Sequence, residues 1–481
     1  MHMHKKLFSS ILLFLLLNIL IKPFWILGID VGVQNAVGAE EFGLYFAIFN
    51  FTYIFNILLD LGITNFNNKN IAQHNQLISK HLSGILGIKL ILFLIFVVVT
   101  FTAGWIVGYE GREFLLLAWM CLNQFLNSLI LYLRSNFSGL LMFKTDSVLS
   151  VMDRVLMIAI CSLLLWGNIC DDPFRIEWFI GAQTLSYLIT AGVALVSLIN
   201  KTKLRKLRLN PAFSIVIIRQ SLPFALLVLL MASYNRIDPI MLERLLPSGN
   251  LSAGIYAGAY RLLEALVMLA YLVSVPLLPV YAKMLKNKED IRPITRNVFV
   301  CVFAFSSGIA ISLSYLSSEL MTLLYDSNIE QSAEVFQILV FGFIPISVTY
   351  VFGTLLTANN SLRRLNILSA IALFINIIIN IVLIPLYAQI GSAWASVGTQ
   401  SFVAISQMVV AIRIFRFEMD WHLGLRLLIY ICMVVGINFG LSHLEIHWLW
   451  HIVVVGVAML TMLFGLGLFS LKDVRSIIAE C

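Results

Sequence analysis

Charged residues are scarce in this chain. Aspartate, glutamate, lysine and arginine together make up 12% of its 481 residues, whereas a soluble domain carries about 25%. The six cysteines are scattered, without the close pairs that mark a zinc site or a disulfide framework. The sequence also lacks a phosphate-binding glycine loop and a nucleophile elbow. These absences argue against a soluble domain, a metal-stabilised module and an ATP-driven pump.

Hydrophobic residues are abundant instead, at 60% of the chain, with a mean hydropathy of +0.94. A helix needs about 20 predominantly apolar residues to cross about 30 Å of hydrocarbon. We find about fourteen such windows, which predict an all-α integral membrane protein. The first window begins like a signal peptide but is longer, so we expect a retained helix. The windows are residues 7–30, 42–66, 82–107, 114–137, 148–167, 178–199, 215–241, 253–278, 298–316, 335–358, 365–386, 392–414, 423–441 and 449–469.

The basic residues between these windows predict the topology. Alternate loops, counted from the N-terminus, hold about twenty lysines and arginines, and the loops of the other side hold only Arg112, Arg175 and Arg244. Cytoplasmic loops are enriched in Lys and Arg, so both termini are predicted to be cytoplasmic. The basic stretch after residue 200 lies between two spans, where it favours anionic lipid and not a nucleic acid.

An internal repeat predicts two lobes. The segments Val37–Phe51 and Leu251–Leu262 each contain an outer turn followed by Gly-x-Tyr at the start of a helix. Their offset of about six helices keeps both copies in the same orientation, as in transporters with parallel repeats. We therefore expect a six-helix lobe in residues 1–200, a basic cytoplasmic linker in 201–214, a second six-helix lobe in 215–415, and two accessory helices with a cytoplasmic tail in 416–481.

Two long segments carry a family resemblance. They read VGAEEFGLYFAIFNFTYIFNILLDLGI and DPIMLERLLPSGNLSAGIYAGAYRLLEALVMLAYLVSVPLLPVYAKM. Together with the long first helix they resemble the bacterial oligosaccharide flippases and polysaccharide exporters of the multidrug/oligosaccharidyl-lipid/polysaccharide (MOP) superfamily, which includes the lipid II flippase. The resemblance covers nearly the whole chain.

The resemblance implies two six-helix lobes that form a V around a cationic central cavity. By alternating access, such a flippase moves an undecaprenyl-pyrophosphate oligosaccharide from the cytoplasmic to the outer leaflet of the inner membrane, for surface polysaccharides such as O-antigen. No enzymatic activity, cofactor or metal is expected. The implied partners are the lipid-linked oligosaccharide, membrane lipids, a polysaccharide polymerase and other assembly proteins.

Ionisable residues inside the spans are the candidate site, because an Arg or Asp at a helix centre costs about 2.5–3.5 kcal/mol on insertion scales. At 1.5 Å per residue, Lys22 lies about 22 Å along the first helix and Arg261 about 14 Å into the eighth, at similar depth. Cations in a wet cavity can replace the lost hydration of a diphosphate. We predict that Lys22, Arg261, Arg236 and Glu264 bind the substrate. The resemblance favours Lys22 and Arg261, because the lipid II flippase family concentrates its head-group contacts in these two helices.

Each candidate also has a structural interpretation. Glu264 follows Arg261 by three residues on the same helical face, so the two can neutralise each other. Arg236 is close enough to the outer end of its helix to reach the head groups. Lys22 precedes Pro23, where a helix tends to kink and expose backbone carbonyls.

Three further charges were assigned from their position along the spans. Asp60, in the run LLDLG, is the candidate for binding a coupling ion, either a proton or Na⁺. It could equally cap a helix or pair with a base. Lys89 and Arg134 lie nearer the cytoplasmic side, and we expect both to reach toward the interface.

Three other interpretations fit the sequence less well than the flippase does. His443, His447 and His451 recur every four residues and would share a helical face, but the order HLEIH differs from a zinc-protease motif, and an interfacial belt is favoured. A cation-coupled multidrug antiporter of the same superfamily would need acids in the cavity, whereas bases predominate here. A membrane glycosyltransferase or polymerase would need a long outer loop or an acidic catalytic cluster, and neither is found.

Overall fold

The computed structural model describes residues 17–18, 20–64, 67–68, 71, 78–140, 142–167, 173–200, 225–417, 420–444 and 446–468. Nearly all of these residues are helical, and this part of the chain contains no β-strand. The all-α fold class predicted from hydropathy is therefore confirmed. The predicted linker 201–214 and the C-terminal tail lie outside the described residues.

The chain forms two compact units, Met1–Gly254 and Ile255–Cys481. The first helix, α1, comprises residues 20–37 and includes a π-helical segment, Trp25–Asp30. The helices that follow in the first unit are α2 (Ala39–Ile54), α3 (Ile78–Val107), α4 (Arg112–Gly139), α5 (Phe143–Trp166), α6 (Ile176–Ile199), α7 (225–236) and α8 (Asp238–Leu245). Helix α9 (Gly249–Asn287) begins in the first unit and continues into the second.

The second unit continues with seven helices within its described residues. They are α10 (Arg292–Tyr315), α11 (Ser317–Leu324), α12 (Ile329–Leu339), α13 (Phe343–Ala358), α14 (Leu362–Phe415), α15 (Trp421–Ser442) and α16 (Trp448–Gly465). The last two pack on α10 through a shared apolar cluster that includes Val300, Val434 and Val455. The hydroxyl of Tyr430 donates to the carbonyl of Ala304 at 3.0 Å, which fixes α15 against α10.

The described chain contains eleven helical stretches long and apolar enough to cross a membrane. Helices α7 and α8, bent by 48°, would make a twelfth. Helix α14 counts once but has 54 residues, about 80 Å at 1.5 Å per residue. It breaks at Ala388, whose φ of 47° is not helical, so it is long enough for two spans. Residues 7–16 and 19 of the first predicted span lie outside the described residues, and the count of about fourteen stays a prediction.

The helices of the first unit are irregular at two places that carry charge. Helix α1 changes to π-helical winding two residues after Pro23, and such segments frequently occur at functional sites. Helix α2 ends in a 3₁₀ turn, Phe55–Leu59, after which Leu61 and Gly62 take positive φ angles of 44° and 81°. Lys22 stands at the first irregularity and Asp60 at the second.

The two Gly-x-Tyr segments identified in the sequence pack against each other. A Cβ atom on Gly43 would overlap the carbonyl oxygen of Asn250, and one on Gly254 would overlap that of Ala39. The contact is reciprocal, because each carbonyl belongs to the residue four positions before the opposing glycine. Gln34 adds a hydrogen bond from Nε2 to the carbonyl of Gly254 at 3.0 Å. Only glycine permits so close an approach of two backbones.

Candidate substrate-binding site

Lys22 lies on α1 directly before Pro23, and its side chain is half-buried. Among the described residues, no carboxylate or hydrogen-bond acceptor contacts its ammonium group. The groups within its electrostatic range are the guanidinium groups of Arg154 and Arg134 and the carboxylate of Asp153. A half-buried ammonium near two other cations is under-compensated, and such a place attracts an anion.

Arg154, on α5, is the second cation of this cluster. Its guanidinium lies over the indole ring of Trp25, 5.3 Å from the ring centroid. The ring of Trp25 stacks in turn on Phe179 at 5.8 Å, which holds the indole in place. Asp153 is 3.5 Å from Nε of Arg154, a loose contact between neighbouring residues, and the Arg154 side chain keeps 26% of its surface exposed. The guanidinium is therefore fixed by stacking and still accessible.

Arg134, on α4, is the third cation, and it is more fully compensated. Its Nε donates to Asp146 at 2.8 Å, and both side chains are less than one-fifth exposed. The expectation that Arg134 extends toward the membrane interface stays a prediction, and the structure adds that a carboxylate in the first turn of α5 pairs with it. Asn18, which precedes α1, donates to Ser150 of α5 at 3.3 Å.

The cluster contains as many acids as bases, so its overall charge is near zero. The bases are Lys22, Arg134 and Arg154, and the acids in their electrostatic range or in contact with them are Asp30, Asp146 and Asp153. Binding of an anion would depend on the ammonium that lacks a direct partner and on the guanidinium that is only loosely paired.

The sequence analysis missed Arg154. The signal was present, since Arg154 lies inside the predicted span 148–167, as Lys22 lies inside the first one. Because Asp153 is adjacent to Arg154, the two opposite charges cancel when net charge is counted along the span, and Arg154 does not stand out. Only the packing of α5 against α1 shows that the guanidinium faces Lys22.

Arg236 occupies a different place in the first unit. It ends α7, and its Nη1 donates to Oδ1 of Asn50 on α2 at 3.2 Å. Its guanidinium also lies 5.0 Å from the ring centroid of Tyr53. The contacts direct the side chain onto α2 and not toward lipid head groups. The chain bends directly after it, at Ile237, before α8 begins.

Arg261 and Glu264 lie on α9 in the second unit. Nη1 of Arg261 donates to Oε2 of Glu264 at 2.8 Å, the pairing that their i, i+3 spacing allows. Arg261 is buried and the Glu264 carboxylate is about one-fifth exposed. The glutamate thus fixes the direction of the guanidinium.

Asp60 pairs with Lys89, which overturns the expectation that Lys89 extends toward the interface. Lys89 is only 1% exposed, and its Nζ lies 2.6 Å from Oδ1 of Asp60. Asp60 also accepts hydrogen bonds from the backbone amide and the hydroxyl of Thr64. Of the roles left open for Asp60, the pairing with a base is present in the structure, and the binding of a coupling ion stays a prediction.

The three histidines near the C-terminus do not share a helical face. Helix α15 ends at Ser442 and α16 begins at Trp448, so His443 and His447 belong to the turn between them. His451 is buried, 2.9 Å from Oδ1 of Asn438, which makes it a core residue and not part of an interfacial belt. In the described part of the chain, no three His, Cys, Asp or Glu side chains are grouped as metal ligands.

Comparison with known proteins identifies the family. The profile described as polysaccharide biosynthesis protein matches residues 7–285. The chain belongs to this family. No curated protein sequence matches the chain. The relationship to polysaccharide exporters predicted from the two long segments is confirmed by this match, which covers more than half of the chain.

The similar structures show the fold of this polysaccharide biosynthesis family member. The lipid II flippase MurJ in an inward closed conformation has a TM-score of 0.71 at 14% identity, over 93% of this chain and 97% of MurJ. A multidrug resistance MATE transporter in an inward-facing conformation has a TM-score of 0.61 at 13% identity, over 81% and 94% of the two chains. A MOP superfamily transporter from Pyrococcus furiosus, for which the reverse polarity of the binding pocket suggests a different function, has a TM-score of 0.58 at 14% identity, over 85% of this chain and 94% of that transporter. The chain therefore has a MurJ- and MATE-like transporter fold.

Proposed function

We propose that this protein is a flippase for a polyprenyl-pyrophosphate-linked oligosaccharide. It would carry the saccharide from the cytoplasmic to the outer leaflet of the inner membrane for surface polysaccharide assembly. The observation that carries the proposal is the half-buried ammonium of Lys22, which has no direct partner in the described chain and lies near Arg154. A diphosphate is the part of such a substrate that cannot enter hydrocarbon without compensating cations.

The residues of the first unit would act on the diphosphate in complementary ways. Lys22 supplies a compact point charge, and Arg154 supplies a planar fork that can donate two parallel hydrogen bonds. Arg134 adds positive potential while remaining paired with Asp146. Arg236, held on α2 by Asn50 and Tyr53, would be a separate contact for the substrate.

Arg261 would provide a second head-group contact from the second unit, with Glu264 orienting its guanidinium. The predicted lobes, residues 1–200 and 215–415, would alternate access to the head group while the lipid tail stays in the bilayer. The proposal places both termini in the cytoplasm. A polysaccharide polymerase and other assembly proteins would be its partners. The proposed function requires no cofactor and no enzymatic step.

A multidrug antiporter is the second candidate, and the likeness to MATE transporters is the observation in its favour. An antiporter for organic cations needs carboxylates that face its substrate. In the described first unit, Asp60 is paired with Lys89 and Asp146 with Arg134. These acids are therefore already neutralised, which favours the flippase.

A binding measurement tests the site. Lys22→Ala should weaken binding of a short-chain polyprenyl-pyrophosphate oligosaccharide about 10-fold or more, because a charged contact contributes about 1.5–3 kcal/mol. Lys22→Arg should keep much of the affinity. The affinity is measured with purified protein at fixed ionic strength.

Lys144→Ala is the matched control, because Lys144 is an exposed lysine of α5 and its loss changes the net charge equally. It should bind as the wild type does. Equal affinity of the Lys22→Ala variant and the wild type would remove Lys22 from the site. Tighter binding of a lipophilic cation by Lys22→Ala, with no loss of sugar lipid, would favour the antiporter.

A further inference from the structure

The end of helix α2 leaves several oxygen atoms directed into the first unit. After the 3₁₀ turn Phe55–Leu59, the positive φ angles of Leu61 and Gly62 reverse the chain. The carbonyl of Leu59 and the carboxylate of Asp60 then face α3. Thr64 donates to the Asp60 carboxylate from its backbone amide and its hydroxyl, which fixes the orientation of that carboxylate.

Four oxygen atoms surround the ammonium group of Lys89 at this point. Nζ donates to Oδ1 of Asp60 at 2.6 Å, to Oγ of Ser128 at 2.8 Å and to the carbonyl of Leu59 at 3.0 Å. The carbonyl of Ser128 lies 3.5 Å away. The ring of Tyr132 contributes an aromatic face, with its centroid 6.0 Å from Nζ. We call these oxygens, which come from the turn after α2 and from Ser128 of α4 and enclose Lys89 of α3, the α2–α3 oxygen cage.

The composition of the cage is that of a site for a hard cation. A carboxylate, a hydroxyl and two backbone carbonyls are the ligand types that such ions take in proteins. One carboxylate makes the cage singly negative without Lys89, which suits a monovalent ion. We infer that the α2–α3 oxygen cage is a monovalent-cation site, of the kind that would bind Na⁺, and that the chain fills it with its own lysine.

The burial of the cage explains why it needs an occupant. Lys89 is 1% exposed, so its removal would leave the Asp60 carboxylate without its buried counter-charge. The Asp60 side chain is 24% exposed, which gives an ion from solution a way in. With the lysine in place, the first unit takes no dissolved cation at this point, which limits Asp60 as a coupling-ion site in the natural protein. This inference does not depend on the proposed function.

Removal of the lysine tests the inference directly. The thermal unfolding midpoint of Lys89→Ala is measured in purified protein while NaCl is replaced stepwise by choline chloride at constant chloride and pH. We expect the midpoint to rise by a few degrees with Na⁺ and to saturate as for one site. The wild type and the Lys144→Ala control should show no comparable rise. Asp60→Asn/Lys89→Ala should lose the Na⁺ response, because the cage is then neutral.

Three results would overturn the inference. One is a Lys89→Ala midpoint that is the same in Na⁺ and in choline. Another is an Na⁺ response equal to that of the wild type, since the ion would then bind elsewhere. The third is a midpoint that responds only to pH, which would mean that a proton on Asp60 replaces the lysine charge.

A volume-matched pair covers the case in which Lys89→Ala does not fold. Lys89→Met keeps most of the side-chain volume and leaves the Asp60 charge alone, whereas Asp60→Asn/Lys89→Met removes that charge too. The single variant should unfold at a lower temperature than the double variant. Equal midpoints would show that Lys89 does not act by compensating a cation site.

Discussion

An ammonium and a guanidinium hold a phosphate group in different ways. Lys22 offers three rotatable donors on a flexible stem, whereas Arg154 offers a rigid fork that Trp25 holds by stacking. If both contact the diphosphate, they are not interchangeable. Lys22 should tolerate replacement by another cation, whereas the contact of Arg154 requires the planar guanidinium.

This difference gives a prediction for Arg154. Arg154→Lys keeps the charge but loses the fork and the stacking on Trp25, so affinity for the polyprenyl-pyrophosphate oligosaccharide should fall about 10-fold, a loss of about 1.4 kcal/mol. Arg154→Ala should bind still more weakly. The half-saturating lipid concentration is measured for each variant beside Arg363→Ala, a control at an exposed arginine. An Arg154→Lys protein that binds as tightly as the wild type would exclude a bidentate contact.

Sequence reasoning located charged residues well and their partners poorly. Lys22, Arg236 and Arg261 are conspicuous because they interrupt apolar runs, and Glu264 follows from helical spacing. Lys89 was misassigned because the rule for long side chains considers only depth along one helix. Its partner Asp60 comes from another helix, and only the packing of α2 against α3 brings them together.

The close contact of α2 and α9 gives a prediction about elements. Gly43→Ala and Gly254→Ala should each destabilise the protein by about 1–3 kcal/mol, because the added methyl group meets a backbone carbonyl that cannot move aside. Gly192→Ala is the control, since a Cβ at that glycine of α6 has no neighbour within 4 Å. It should be neutral or stabilising by up to about 1 kcal/mol, the usual difference within a helix.

Thermal unfolding in detergent measures all three glycine variants. Equal midpoints for Gly43→Ala and Gly192→Ala would show that the contact of the two Gly-x-Tyr segments relaxes without cost. That result would remove the packing reason for glycine at these positions.

The accessory helices give a second prediction about elements. Oδ1 of Asn438 on α15 accepts a hydrogen bond from Nε2 of His451 on α16 at 2.9 Å, and Nδ2 of Asn438 donates to Oγ of Ser312 on α10 at 3.3 Å. Asn438→Ala should cost about 1–3 kcal/mol of stability, because it leaves the buried histidine unpaired. The exposed Asn287→Ala is the control, and its unfolding midpoint should not change. A neutral effect of Asn438→Ala would show that apolar packing alone holds α15 and α16.

The helices themselves were predictable from hydropathy, but their interruptions were only partly so. The predicted windows 365–386 and 392–414 are separated by only five residues. Both lie in α14, which breaks between them at Ala388, shortly after Pro385. The four-residue spacing of His443, His447 and His451 suggested one face, yet a turn separates two helices there. An argument from periodicity assumes an unbroken helix, and the segment HLEIH contains no glycine or proline that would predict the end of a helix.

At the scale of the whole molecule, the topology is a prediction from the loop charges. In a variant without its native cysteines, Ser327→Cys should react with a membrane-impermeant maleimide in spheroplasts. Glu289→Cys should react only after permeabilisation. Both positions are exposed and lie outside the helices. The reversed labelling pattern would contradict cytoplasmic termini.

The family was predictable from the sequence because the apolar windows and the two long segments extend along most of the chain. The fold followed from the family, with a TM-score of 0.71 to MurJ. The chemistry of the substrate did not follow in the same way, because a lipid II flippase and a multidrug resistance transporter both share this fold with the chain, at 14% and 13% identity. Pairings between helices, such as Asp60 with Lys89, are not visible in the sequence.

The central claim is that the protein moves a lipid-linked anionic saccharide. Flipping in proteoliposomes tests it most directly, with a fluorescent polyprenyl-pyrophosphate oligosaccharide and a lipophilic cation offered to the same preparation. Wild type, Lys22→Ala and Lys144→Ala are compared with and without imposed ion and voltage gradients. We predict that the wild type and Lys144→Ala move the sugar lipid but not the cation, and that Lys22→Ala is markedly slower. Movement of the cation alone would contradict the account and identify a drug antiporter.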